Sequence, residues 1–197
     1  MKKILKKIWW FIWYDDSIWS WIVNIILAFL IVKFLVYPGL GFLLGTTHPV
    51  VAVISNSMNH NNVGFDEWWD KNKDFYEQKN ITKEEFEKFR FVNGFNKGDL
   101  VVLKGIDCSK VDKGNILVYN IVGNQPIIHR VVDKGLEENY YFQTKGDNVN
   151  RVQFFEENIK QSQIIGVKKY EKCSVGVFKV PWFGWVKILF MSLIGGV

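Results

Sequence analysis

Apolar and polar positions alternate unevenly along this chain, and the most uniform stretch comes first. From Ile18 to Tyr37 the run IWSWIVNIILAFLIVKFLVY carries a single charge, Lys33, and the apolar character continues through PGLGFLLG to Gly45. About 20 apolar residues suffice for a helix to cross the hydrocarbon core, so residues 18–45 predict a transmembrane anchor. The rival reading is a cleaved secretory signal, with GLG at Gly39 to Gly41 as a weak small-residue cleavage site. The run exceeds the core of about 7 to 15 residues that such signals carry, which disfavours cleavage. Lys33 lies near the far end of the span, where its stem can reach the interface. Upstream, KKIWWFIWY is too short to span and reads as an interfacial helix.

Beyond the anchor, residues 59–97 form a polar, aromatic insert whose helical part is expected over 64–92. Trp68, Trp69, Phe75 and Tyr76 recur about two turns apart, which suits a helix laid on a surface. In TKEEFEKF, Thr82 and Glu85 have the spacing of a capping box, with Phe86 and Phe89 on one face. These aromatics are expected to pack against the domain rather than dip into lipid. Asn80 in NIT also fits a glycosylation acceptor, a pattern frequent by chance. From Gly98 the period shortens to two. GDLVVLKG, GNILVYNIV, PIIHRVV, YYFQTKG and SQIIGVKKY are short β-branched runs bounded by Gly, Asp and Asn, hence strands. KCSVGVFKV predicts a further strand, followed by an aromatic loop and an apolar helix that enters or crosses the membrane.

The expected architecture is therefore mainly β. A cytoplasmic segment, 1–17, leads into the anchor; a compact extracytoplasmic β domain, 46–180, carries the helical insert; and 181–197 is an apolar, membrane-associated tail. Orientation follows from Lys2, Lys3, Lys6 and Lys7 before the span, which favour a cytoplasmic amino terminus and put everything from about Thr46 onward outside the cell membrane.

Composition sharpens this picture only in part. The chain has 197 residues, 48% hydrophobic and 23% charged, enough for one ordinary domain plus a membrane segment. Its 9 Trp crowd toward both ends, so both ends are expected near a lipid bilayer. The net charge of +5 is mild, and no basic stripe interleaved with stacking aromatics follows, so no nucleic-acid partner is expected. Cys108 and Cys173 form no CxxC and have no nearby His pair, which argues against a metal site. They could pair in an oxidising compartment; two separate buried thiols are the favoured reading.

Side chains fit for chemistry are few. Ser55 and Ser57 stand in VVAVISNSM, just past the span. Serine hydrolysis needs a base within reach and a group that orients the base. Of the 3 histidines, His48 and His60 read as solvated loop residues, whereas His129 lies in the strand-like PIIHRVV. Asp147 sits in a Gly-Asp-Asn turn after a strand; alone, that is simply a good turn. Together Ser57, His129 and Asp147 are a candidate nucleophile, base and orienter, although spacing does not show that they converge.

VVAVISNSM, GDLVVL, GNILVYN, IIHRVV, YYFQTKGDN and QIIGV occur in an order that resembles the successive boxes of signal peptidase I of the archaeal and endoplasmic-reticulum type. The likeness runs from the anchor to Gly166, and VPWFGWVKI also looks like archaeal members. It implies a signal-peptidase-like β domain and a serine endopeptidase that removes signal peptides after small residues. Ser57 would be the nucleophile, His129 the base in place of the lysine of bacterial relatives, and Asp147 the aspartate of KGDN. Val53, Ser55 and Met58 would line the substrate site, Ser55 with a share in the oxyanion pocket. The implied partners are signal-peptide-bearing precursors and the protein-export channel, with no cofactor and no metal.

The chain departs from that pattern at Asn56, where Gly usually separates the serines, at Asn115, and at Gln153, where many relatives carry a second aspartate. The second acidic role is then open unless Glu156 or Glu157 reaches in. Two other readings stay on the table: a non-catalytic, membrane-anchored β module that binds exported chains, and a cysteine hydrolase on Cys108 and His129. Acidic neighbours of Cys108 in GIDCSK would raise its pKa, which disfavours the latter.

Overall fold

The computed structural model describes residues 2–121, 126–166 and 172–193 and separates into two compact units, Met1–Leu43 and Leu44–Val197. The first unit is helical. α1, Lys2–Tyr14, turns through Asp15 and Asp16 into α2, Ile18–Ile31, whose N-cap Ser17 accepts from the Ser20 amide. A π-helical turn, Val32–Val36, follows and leads into α3, Tyr37–Leu44. Pro38 explains the widened turn. Proline has no amide to give and its ring pushes on the carbonyl one turn back, so the ladder before it shifts, and the Tyr37 amide bonds to the Val32 carbonyl. Ile18–Leu44 is thereby one continuous helix of 27 residues, with a mean hydropathy of 2.2 over an 18-residue stretch, long and apolar enough to cross a membrane.

The second unit is built on a seven-stranded antiparallel sheet in the order β1-β2-β7-β3-β4-β5-β6. Its strands are β1, Val50–Ala52; β2, Leu100–Asp107; β3, Ile116–Tyr119; β4, Ile127–Leu136; β5, Tyr140–Lys145; β6, Ile159–Lys160; and β7, Lys172–Val180. Between β1 and β2 come α4, Phe65–Gln78, and α5, Lys83–Glu87; α6, Gly184–Leu193, closes the described chain. More of the described residues are helical than extended, so the whole is mixed α/β and the mainly β expectation needs correcting. The anchor and the insert supply the difference.

Two apolar layers hold the sheet. Val51, Val53, Met58, Val101, Leu103 and Ile128 cluster on one side, and Val111, Leu117, Tyr119, Val131, Phe142 and Ile159 on another. The insert makes a third cluster, in which Trp68, Trp69, Tyr76, Ile81 and Phe86 are buried against Val132. Capping by Thr82 and Glu85 starts α5 as the spacing predicts, and the insert aromatics pack on the domain.

SQIIGVKKY is only partly as expected: Gln161–Gln163 form a 3₁₀ turn, Ile164 makes an isolated bridge to Tyr119, and residues 167–170 lie outside the described residues. The tail helix α6 has 10 described residues, which at about 1.5 Å each fall short of a bilayer core, and residues 194–197 of that tail are likewise outside them. The cysteines differ from expectation too. Cys108 and Cys173 are buried as foreseen but joined in a disulfide, because the β2–β7 register sets Ile106 opposite Cys173 and brings Cys108 alongside. That bond leaves Cys108 no thiol and removes the cysteine-hydrolase reading.

Candidate active site

Ser57 sits in the turn that follows β1, and its backbone is gripped from across the fold. The Asn148 amide donates to the Ser57 carbonyl at 2.7 Å, and the Phe95 amide to the Met58 carbonyl at 2.8 Å. Gly146 permits this closeness. A Cβ there would stand 2.7 Å from the Ser57 carbonyl oxygen and 3.0 Å from His129 Nε2, so a side chain would push nucleophile and base apart.

His129 projects from β4, between Leu117 of β3 and the β5 side of the sheet, and is only 7% exposed. Its Nε2 lies 2.8 Å from Ser57 Oγ. Its Nδ1 is hydrogen-bonded to Glu156 Oε1. Glu156 is fully buried at the end of a 3₁₀ turn, Phe154–Glu156. Oε1 also accepts from the Tyr119 hydroxyl at 3.2 Å and from Thr144 Oγ1 at 3.3 Å, and Oε2 from the Gln153 amide at 3.1 Å. Burial by itself would raise the Glu156 pKa, but the hydrogen bond and charge of His129, with the Gln153 amide and Tyr119 hydroxyl, bring it below the ordinary value. A carboxylate kept ionised behind one imidazole nitrogen fixes the tautomer in which the other nitrogen accepts a proton.

Asp147, expected to orient His129, turns elsewhere. Its carboxylate is fully buried and receives Arg130 Nε at 2.9 Å, Arg130 Nη2 at 2.6 Å, His60 Nε2 at 3.2 Å and the Tyr76 hydroxyl at 3.2 Å. Burial would raise its pKa; the Arg130 charge and hydrogen bonds outweigh that and hold it far below the usual carboxylate range. The reason is strand alternation. In the His-Arg pair of β4, His129 faces the serine while Arg130 faces the insert, stacking 4.6 Å from the Phe86 ring centroid, and Asp147 follows Arg130. Asp147 still bears on the nucleophile through the backbone, since its amide donates to Met58 Sδ at 3.3 Å and its neighbour Asn148 binds Ser57.

His60 is buried, not solvated, stacked on Trp68 with ring centroids 3.9 Å apart. Its Asn-rich neighbours hid this, because the burial comes from residues remote in sequence. Arg130 was missed as a site residue; a charged residue inside an apolar strand run was the available signal. Of the two glutamates weighed for the second acid, Glu156 reaches His129, whereas Glu157 is exposed. Lys145, buried near Asp147 and over the Phe75 and Tyr76 rings, is pushed down by burial to about 8.

Ser55 is exposed, with its Oγ 3.1 Å from Ser57 Oγ. Next to the serines lies a depression of about 270 Å³ lined by Ala52, Val53, Ile54, Met58, Ile127 and Ile128. Val53 and Met58 are buried and offer it an apolar floor. A larger groove of about 610 Å³ between the β4–β5 turn and β6 contains none of these residues. No group of metal-ligating side chains occurs among the described residues. The chain matches no protein-family model, and no curated protein is significantly similar to it.

Proposed function

We propose that this chain is a membrane-anchored serine endopeptidase of the signal peptidase I type, cutting exported precursors after small residues. The observation that carries the reading is the line from Ser57 Oγ to His129 Nε2 at 2.8 Å, with the buried Glu156 carboxylate on His129 Nδ1. Ser57 attacks the scissile carbonyl while neutral His129 takes its proton at Nε2. Glu156 holds the Nδ1 proton and favours the imidazolium that forms. The tetrahedral oxyanion is met by the Ser55 hydroxyl and the Ser57 amide. Its collapse passes the proton from His129 to the leaving amine. Water, deprotonated by the same imidazole, then clears the acyl-enzyme and restores Ser57.

The sheet edge and the depression support this substrate class. β1 is the terminal strand of the sheet, and Val53 directs both backbone groups inward, its amide to the Asp99 carbonyl and its carbonyl to the Gly98 amide, each at 2.9 Å. By alternation the backbone groups of Ala52 and Ile54 point to the outer edge, where an extended peptide can add as a strand. A shallow apolar floor beside Ser57 suits small side chains there. The anchoring helix Ile18–Leu44 suits a substrate presented at a membrane.

The test is incubation of the detergent-solubilised full chain with a signal-peptide-bearing precursor, with the products weighed by mass spectrometry. One cut after a small residue on the carboxyl side of the apolar segment is expected. An intact precursor, or scattered cuts, would overturn the assignment.

A further inference from the structure

We infer that α1 is a docking surface for anionic phospholipid headgroups, held at a fixed place on the anchoring helix. The inference rests on reading Ile18–Leu44 as membrane-spanning. At 100° per residue, Lys2, Lys3, Lys6 and Lys7 fall on one side of α1, and Ile4, Leu5, Ile8, Phe11 and Ile12 on the other. α1 buries no residue within the protein: Ile4 and Leu5 are each 64% exposed and Trp9 is 60% exposed. Among the described residues none of the four lysines forms an ion pair, although most of the chain's other close charge pairs engage a lysine.

A second observation shows that α1 is not merely a charged leader. The last carbonyls of a helix have no partner within it. In α1 two of them are capped from the anchor: Ser20 Oγ donates to the Phe11 carbonyl at 2.6 Å and Asn24 Nδ2 to the Ile12 carbonyl at 2.9 Å. Asn24 and Ser20, polar residues in the amino-terminal half of the span, the latter buried in this contact, thus pin α1 at the start of the span. A pinned amphipathic helix with a free apolar face and a free cationic face fits one environment, the boundary between acyl chains and headgroups. Lysines near an anionic surface each strengthen such attachment about fivefold, and added salt weakens it. Trp9 lies on its flank and Trp10 and Trp13 on the lysine side, and tryptophan prefers the headgroup depth.

The experiment measures hydrogen–deuterium exchange of residues 2–14 in the full chain, reconstituted in nanodiscs of phosphatidylcholine alone or with one quarter phosphatidylglycerol. We expect exchange at least fivefold slower in the anionic discs at low salt. That difference should vanish at 0.5 M NaCl and in the Lys2→Gln, Lys3→Gln, Lys6→Gln, Lys7→Gln variant, and should be reduced in Lys6→Gln alone. Equal exchange in both lipids, or a difference that survives in the fourfold variant, overturns the inference. Alkaline carbonate extraction of the same proteins keeps the two readings apart. Retention in the membrane with lipid-independent exchange fails the α1 inference only; release would fail the spanning reading and this inference with it.

Discussion

A serine hydroxyl is a weak nucleophile, and what distinguishes Ser57 is the imidazole 2.8 Å away with an ionised carboxylate behind it. The two buried acids near this pair are assigned different work, and substitution separates them. Glu156→Gln keeps shape and burial but ends the fixed tautomer of His129, so kcat for precursor cleavage should fall on the order of 10³-fold or more while KM stays close to wild type. Asp147→Asn instead leaves the fully buried Arg130 guanidinium short of its counter-charge. Breaking such a pair costs about 3–5 kcal/mol, read as a lowered urea midpoint, with activity lost in step with folding. If Asp147→Asn kept full stability but lost turnover, the orienting role would belong to Asp147 after all. Residue type and the resemblance mark Ser57 and His129 as candidates, with Asp147 as the orienter and Glu156 only as a stand-in for the second acid. Which acid meets His129 depends on the face of β4 each one approaches, and spacing does not carry that.

At the scale of elements, short β-branched runs between turn residues made β2, β4 and β5 readable; β2 buries alternate side chains, whereas β4 is buried on both faces from Ile128 to Val132. β6 was not readable, since its 2 residues pair with β5 only briefly before a 3₁₀ turn takes over. The insert was readable as helix from its aromatic spacing, yet its function in the fold was not. Through Tyr76, His60 and Phe86 it closes over the Arg130–Asp147 pair, and so shapes the turn that grips Ser57. The disulfide was equally hidden. It joins residues 65 apart whose adjacency exists only through the β2–β7 register. Replacing both cysteines by serine should lower stability by about 2–5 kcal/mol, measured as the loss in denaturant midpoint, since a loop of this length is then unconstrained in the unfolded chain. An unchanged midpoint, together with insensitivity of the wild type to reductant, would show that the bond does not contribute.

Among the described residues the molecule has one helix long and apolar enough to cross a membrane, and in its α/β unit buried charges make stability sensitive to acid. The Asp147 pKa in the folded chain lies far below its ordinary 3.8. Its contribution is therefore complete above pH 3.8 and is lost as the pH falls below that toward the folded-state value. Glu156, also lowered, acts in the same direction. Urea midpoints should hold steady down to about pH 4 and then drop, with a shallower fall in Asp147→Asn. A midpoint that rises on acidification would contradict the sign. The central claim is that Ser57 and His129 act as one unit on a peptide bond, and single-turnover cleavage of a precursor measures it most directly. With wild type, Ser57→Ala and His129→Ala compared at equal folded concentration, each variant should be slower by on the order of 10⁴-fold or more. A rate near wild type in either would contradict the account.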